Sequence, residues 1–229
     1  MKSVASSALP RAVLSRGALD QAVRAVRADG GSVADLRRDA WGHGTFEVAA
    51  ALADAGIRAL VDDEDIVARL RAAGVDATAS GSADIDPFRL YGLPDSGIAP
   101  VLRLVGTVFS TKPLRAGDAV SYGYTHRADA DTTVALVSGG YAQGIVRALG
   151  NRACVEIDGF LRPIVGRVAM DVCVVDLQGS DAEDGAEATY FGGTGPAKDA
   201  LADWSTATGL TIGELIAVVG GRVRREWSA

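Results

Sequence analysis

Lysine is scarce in this chain. Of 23 basic side chains only three are lysines, Lys2, Lys112 and Lys198, so residues 3–111 hold no side-chain amine. Cysteine and histidine are as sparse, with two of each. Cys154 and Cys173 form neither a disulfide framework nor a CxxC pattern, and no metal-ligand spacing is present. Long apolar runs are missing too. The stretch 215–219 falls far short of the ~20 residues that a membrane helix needs, so no membrane span is expected. The first ten residues carry one lysine and no apolar h-region, which predicts a cytoplasmic protein without a secretory signal and with reduced thiols. Positive charge is not in excess. With 29 acidic residues against 23 basic the net charge is −6, which argues against a nucleic-acid partner.

What is present suits a folded enzyme-sized chain. At roughly 150 residues per domain, 229 residues make one large domain or two modest ones. Apolar residues are 48% of the chain, enough for a buried core, and 23% charged residues fit an ordinary surface.

The first third reads as alternating helices and strands. Leu19, Ala22, Val23 and Val26 follow the i, i+3, i+4, i+7 spacing of a helix with one buried face. Residues 32–36 read as a strand. Thr45 is placed to cap a helix running to residue 55, with Glu47 in its first turn. Residues 57–61 make the next strand. Residues 62–65 open a helix with Ile66, Leu70 and Ala73 on one face, and residues 75–78 follow as a strand. Each helix ends at a glycine, Gly56 or Gly74, before a β-branched restart. This grammar predicts parallel β/α units. A closed eight-unit barrel takes about 250 residues, so three or four units fit in the available length and a full barrel does not. Such a partial barrel is expected to leave an open sheet edge and apolar faces for dimerisation to cover.

From about residue 98 the period switches to two. Residues 101–109, 119–125, 133–137, 153–157, 160–165 and 167–177 read as strands. Asp158-Gly159 is a hairpin turn, because both positions tolerate φ > 0. Residues 181–187 read as an exposed acidic loop, and 198–208 as a helix with Leu201 and Trp204 inward.

Three segments here carry a resemblance: Val120-Ser121-Tyr122-Gly123, Gly140-Tyr141-Ala142-Gln143-Gly144 and Val165-Gly166-Arg167-Val168-Ala169-Met170-Asp171, extended by Ala148-Leu149-Gly150-Asn151-Arg152. In order and spacing they resemble the C-terminal β domain of alanine racemase, the pyridoxal-phosphate enzyme that interconverts L- and D-alanine for cell-wall supply. The resemblance runs from about residue 104 to 225. It implies an α/β plus β fold: a truncated β/α barrel over residues 1–97, then an alanine-racemase-type, mostly antiparallel β domain over residues 98–229.

The first half resembles the same family with losses. Ala40-Trp41-Gly42-His43-Gly44 is similar to the family's Ala-Tyr-Gly-His-Gly signature, so the Schiff-base lysine position holds Arg37 and a phosphate-binding tyrosine position holds Trp41. After residues 75–78 the chain jumps to Arg89-Leu90-Tyr91-Gly92-Leu93, which resembles the end of the family's barrel. Ile85 aligns with the arginine that meets the pyridine nitrogen. In Thr211-Ile212-Gly213-Glu214, Gly213 stands where the family has another phosphate-binding tyrosine.

These substitutions matter chemically. Pyridoxal phosphate is held through an imine, which needs an amine that can lose its proton. Lysine can be tuned to do so, whereas the arginine guanidinium stays protonated above pH 12. The resemblance makes Tyr122 the surviving catalytic base and places Tyr141 and Met170 against substrate, acting in trans on a partner's barrel. His126, four residues beyond Tyr122 and read on the same strand face, could support it in place of the family's missing histidine. Lys112, in a β-domain loop, and Lys198, on a helix face, are not replacement anchors. The expectation is a racemase-like protein that is inactive alone, with doubtful pyridoxal phosphate binding, no metal, and a homodimer or a heterodimer with a full-length racemase acting on alanine. In the heterodimer it would supply Tyr122. Residual racemase activity is the alternative.

Overall fold

The computed structural model describes residues 9–228. Its chain divides into two compact units, one of Met1–Val13 with Arg103–Arg224 (the β unit), the other of Leu14–Leu102 with Arg225–Ala229 (the α/β unit).

In the α/β unit, Ser15 ends strand β1 (Arg11–Ser15) and caps the helix Arg16–Ala28, its hydroxyl accepting from the Ala18 amide at 3.1 Å. Leu19, Ala22, Val23 and Val26 are buried, as the spacing predicts. Strands β2 (Val33–Asp35), β3 (Arg58–Leu60) and β4 (Ala77–Thr78) form a parallel sheet in the order β2-β3-β4. The helices Thr45–Ala53 and Glu64–Ala72 provide the crossovers, and Pro87–Tyr91 follows as a short helix.

Two sequence expectations fail here in detail. Thr45 is not a cap: Gly44 holds that position, and the Thr45 hydroxyl turns inward to donate to the Leu36 carbonyl at 3.2 Å. Asp39 takes over the capping by accepting from the Thr45 amide. In the helix Glu64–Ala72 the buried face is Val67 and Leu70, while Ala73 is exposed, because Asp63 caps the helix and sets its phase. The expected apolar faces are also nearly absent. Phe46 is the sole large hydrophobic side chain left exposed among the described residues of this unit, and Arg69 lies over its ring.

The β unit holds β5 (Leu102–Leu114), β6 (Ala119–Val120), β7 (His126–Arg127), β8 (Thr132–Ser138), β9 (Cys154–Ile157), β10 (Phe160–Val165), β11 (Val172–Asp176) and β12 (Glu187–Phe191), whereas β13 (Arg224–Ser228) belongs, from Arg225 on, to the α/β unit. Strands β12, β9, β10, β11, β8 and β5 pair antiparallel in that order, and β12 returns to β5, so the sheet closes into a barrel. Closure removes free sheet edges. Asp158 and Gly159 both take positive φ, 51° and 79°, and form the predicted hairpin turn. The barrel core includes Val105, Val137, Val155 and Tyr190. Helix Ala200–Thr208 sends Leu201 and Trp204 inward, and Trp204 meets Phe191 edge-on at 5.3 Å.

Two predicted strands are shorter than expected. Residues 119–125 form a strand only at Ala119–Val120, and residues 167–177 only at Val172–Asp176. Lys112 is on β5 opposite Val134 rather than in a loop, and Lys198 is in the turn before its helix. Strand β12 and the helix Ile212–Gly220 arise where no element was expected.

Candidate functional site

The shortened strands build the candidate site of the β unit. After Val120 the chain turns through Ser121 (φ 65°), Gly123 (φ 81°) and Tyr124 (φ 49°) and returns as β7, with Val120 opposite His126. Tyr122 is therefore at the tip of a turn, and His126 does not share a strand face with it. Three left-handed residues within four are a costly backbone for ordinary side chains, and the turn is held from outside. The Ser121 hydroxyl donates to the Arg167 carbonyl at 2.6 Å. Asn151 accepts from the Gly166 amide at 2.6 Å, and its own amide reaches the Thr125 hydroxyl at 3.4 Å. Gly166 is required here, because a Cβ on it would lie 2.4 Å from that of Ser121.

Residues 167–171 break from the sheet because they bond sideways. The Tyr141 amide donates to the Ala169 carbonyl and the Ala142 amide to the Met170 carbonyl, each at 3.0 Å. The Gln143 side chain spans to the Asp171 carboxylate, also at 3.0 Å. Gly140 admits this approach: a Cβ there would meet two of these carbonyl oxygens at 2.3 Å. Arg222 donates to the Tyr141 carbonyl, and the Arg147 guanidinium lies 5.9 Å from its ring centre. Tyr122, Tyr141 and Met170 are thus carried on segments bonded to one another through residues 166–171. All three face solvent, at 77%, 37% and 54% exposure. Gly213 lies in the first turn of the helix Ile212–Gly220, beside the reciprocal Thr211–Glu214 capping contacts. Asn151, Gln143 and Arg222 escaped sequence reasoning as positioning residues; the Ala148–Arg152 match was the signal for Asn151.

In the α/β unit, Arg37 follows β2 and turns back on it. Its Nε donates to Asp35 Oδ1 at 2.9 Å, Nη2 pairs with Oδ2, and its backbone amide also donates to Oδ1. The hydrogen bonds from Arg37 hold the Asp35 carboxyl below its ordinary range, and the same contact holds the guanidinium proton more tightly still. Beyond Arg37, residues Arg38, Asp39, Ala40 and Trp41 wind into a left-handed turn with φ of 52–58°. Trp41 therefore ends a turn. Such backbone costs about 1–2 kcal/mol per residue, and Asp39 opposes that cost. It accepts from the Thr45 amide and pairs with Arg225, which also donates to the Gly42 carbonyl. His43 is fully buried, stacked on Tyr91 at 4.1 Å. Its Nδ1 faces the Ala40 carbonyl at 3.0 Å and so carries the proton; burial pulls its pKa down to about 4 and keeps the ring neutral. Ile85 is buried against Gly31.

Among the described residues no cluster of His, Cys, Asp or Glu could hold a metal ion, and no helix is long and apolar enough to cross a membrane. Cys173 is buried beside Tyr190, its thiol pushed up to about 12 by burial, which leaves it inert.

A closed antiparallel barrel with solvent-facing tyrosines in one unit and a parallel β/α sheet in the other define a two-part α/β plus β protein. Residues 101–227 match the family model "Alanine racemase, C-terminal domain". The chain belongs to the alanine racemase family. Curated relatives include the alanine racemases of Mycobacterium avium, 41% identical over 137 residues, and Streptomyces coelicolor, 38% identical over 142 residues. These matches take in 59% and 62% of this chain but 35% and 36% of those proteins, so the chain spans about a third of the length of the curated relatives it matches. Solved alanine racemase structures are similar in fold. That from Streptomyces lavendulae has a TM-score of 0.83 at 20% identity, covering 96% of this chain and 97% of that one. That from Bartonella henselae, solved with covalently bound pyridoxal phosphate, has a TM-score of 0.77 at 16% identity, covering 96% and 100%.

Proposed function

We propose that this chain is a racemase-like protein that does not racemise alanine on its own. The observation that carries the reading is the closed Asp35–Arg37 pair in a unit that contains no lysine. Pyridoxal phosphate needs a deprotonatable amine at that position. Here the position holds a guanidinium already satisfied by a carboxylate, so the residues present do not fit the cofactor. The other family positions agree: Trp41 closes a left-handed turn, Gly213 offers no hydroxyl, and Ile85 is apolar. The α/β part is read as a truncated β/α barrel, with residues 1–97 and 98–229 as the two domains and the cytoplasm as the location.

Purified chain mixed with pyridoxal phosphate should show no borohydride-sensitive absorbance and no conversion of L- to D-alanine. A bleachable band accompanied by turnover would establish residual racemase activity and overturn the reading.

The exposed tyrosine end favours a second role. Tyr122, Tyr141 and Met170 are held by backbone bonds yet face solvent, as suits side chains that complete another subunit's site. In this reading the chain pairs with a full-length, lysine-bearing racemase and supplies Tyr122 to its alanine site, whereas a homodimer would remain inactive. Co-expression with such a racemase followed by Tyr122→Phe tests it: turnover of the mixed complex should fall. Unchanged turnover, or no complex, refutes it.

A further inference from the structure

The sheet β2-β3-β4 is open, since among the described residues no further strand pairs with β2 or β4. An unpaired edge presents backbone donors and acceptors on which another chain can add a strand. In a parallel pair the N–H and C=O of one residue face the same side, and successive residues alternate. Arg58 N donates to Ser32 O and Leu36 N to Leu60 O, which turns Val33 and Asp35 outward on β2. Ala59 N donates to Asp76 O and Val61 N to Thr78 O, which turns Ala77 outward on β4.

The outward carbonyls are all engaged within the chain. Val33 N donates to Asp84 Oδ1 at 2.8 Å, while Val33 O accepts from the amides of Asp84 and Ile85 at 3.1 and 3.2 Å. The Asp84 carboxylate also accepts from the amide and hydroxyl of Ser32. Asp35 O accepts from the Tyr91 hydroxyl at 3.4 Å. On the far edge, the Arg71 guanidinium clasps Ala77 O through Nε at 3.2 Å and Nη2 at 2.8 Å. A residue from beyond β4 thus seals one edge, and a helix side chain seals the other.

We infer that Asp84 on β2 and Arg71 on β4 close this three-stranded sheet against strand addition, so that no second chain, a copy of this one included, docks on the α/β unit through its sheet edges. The seal uses charged side chains, whose hydrogen bonds to backbone are stronger than neutral ones. An incoming strand must break them before it gains its own. The inference stands whether or not the chain binds pyridoxal phosphate or a racemase partner.

The test compares the full-length chain with the double variant Arg71→Met/Asp84→Ala by light scattering across a dilution series, with near-UV circular dichroism as the check on folding. The folded double variant should self-associate as concentration rises, its mass reaching at least double that of the unaltered protein at equal concentration. Amide exchange at residues 76–78 or 32–35 should slow in step. A folded double variant with the unaltered protein's mass throughout overturns the inference, as does association that leaves exchange at both edges unchanged. Should the double variant not fold, Arg71→Gln and Asp84→Asn are read the same way. Association above the unaltered protein's level in either one, with slowed edge exchange, supports the seal, and its absence in both refutes it.

Discussion

Arg37 and Asp35 lie two residues apart, and that spacing decides what a repair could achieve. In Arg37→Lys the new amine would sit beside a carboxylate that favours its charged form. It would stay protonated, and only a neutral amine can form an imine. We expect no pyridoxal phosphate adduct and no racemisation from this variant; borohydride-sensitive absorbance with measurable turnover is the contrary result. The sequence disclosed the arginine but not its partner, because bidentate closure over two residues depends on the backbone turning straight after β2. His43 gives a second residue-scale expectation. Burial lowers its pKa to about 4 against an unfolded value near 6.5, so protons bind the unfolded chain more readily. Its stabilising contribution is therefore intact above pH 6.5 and is lost as pH falls toward 4, amounting to about 2 kcal/mol by pH 5. Urea denaturation at pH 7 and pH 5 should show the loss, and His43→Leu should flatten it. The motif around His43 flagged the residue; its stack on Tyr91, 48 positions away, was not readable from spacing.

Among the elements, those with local signals were legible. The helix Arg16–Ala28 shows its buried stripe in four residues, and Asp158-Gly159 announces its own hairpin. The misread elements are those whose bonds run sideways to distant segments. Residues 167–171 alternate like a strand, yet their carbonyls serve Ser121, Tyr141 and Ala142 instead of a ladder. The turn at Ser121–Tyr124 likewise depends on Asn151 and Gly166. The helix Ile212–Gly220 did carry a signature, Thr211 with Glu214 three residues on, which sequence reasoning passed over. Gly166→Ala probes the coupled segments. With φ at +76° and no room beside Ser121, the methyl should cost about 1–3 kcal/mol and displace the Tyr122 turn. A melting temperature within error of the unaltered protein would show that the turn does not depend on this approach.

For the molecule as a whole, the antiparallel β domain was legible from the switch of period near residue 98. The distribution of apolar surface was not. The partial α/β unit was expected to bare its faces, whereas the large exposed hydrophobics lie almost entirely in the β unit, at Tyr122, Tyr124, Tyr141, Phe160, Leu161, Met170 and Val218 among others. Composition cannot foretell this, because it depends on which side chains fold back over the sheet. Association should therefore follow the barrel: Met170→Asp should weaken any dimer seen by size exclusion, whereas Phe46→Ser should leave it unchanged. The opposite ranking would place the contact on the α/β unit.

Lys112 on β5 and Lys198 before the helix Ala200–Thr208 are the side-chain amines among the described residues, and both belong to the β unit. An amine-reactive dye will therefore colour the barrel and leave residues 14–102 blank. Labelling at limiting reagent becomes a way to follow one half of the molecule alone, without a single engineered residue.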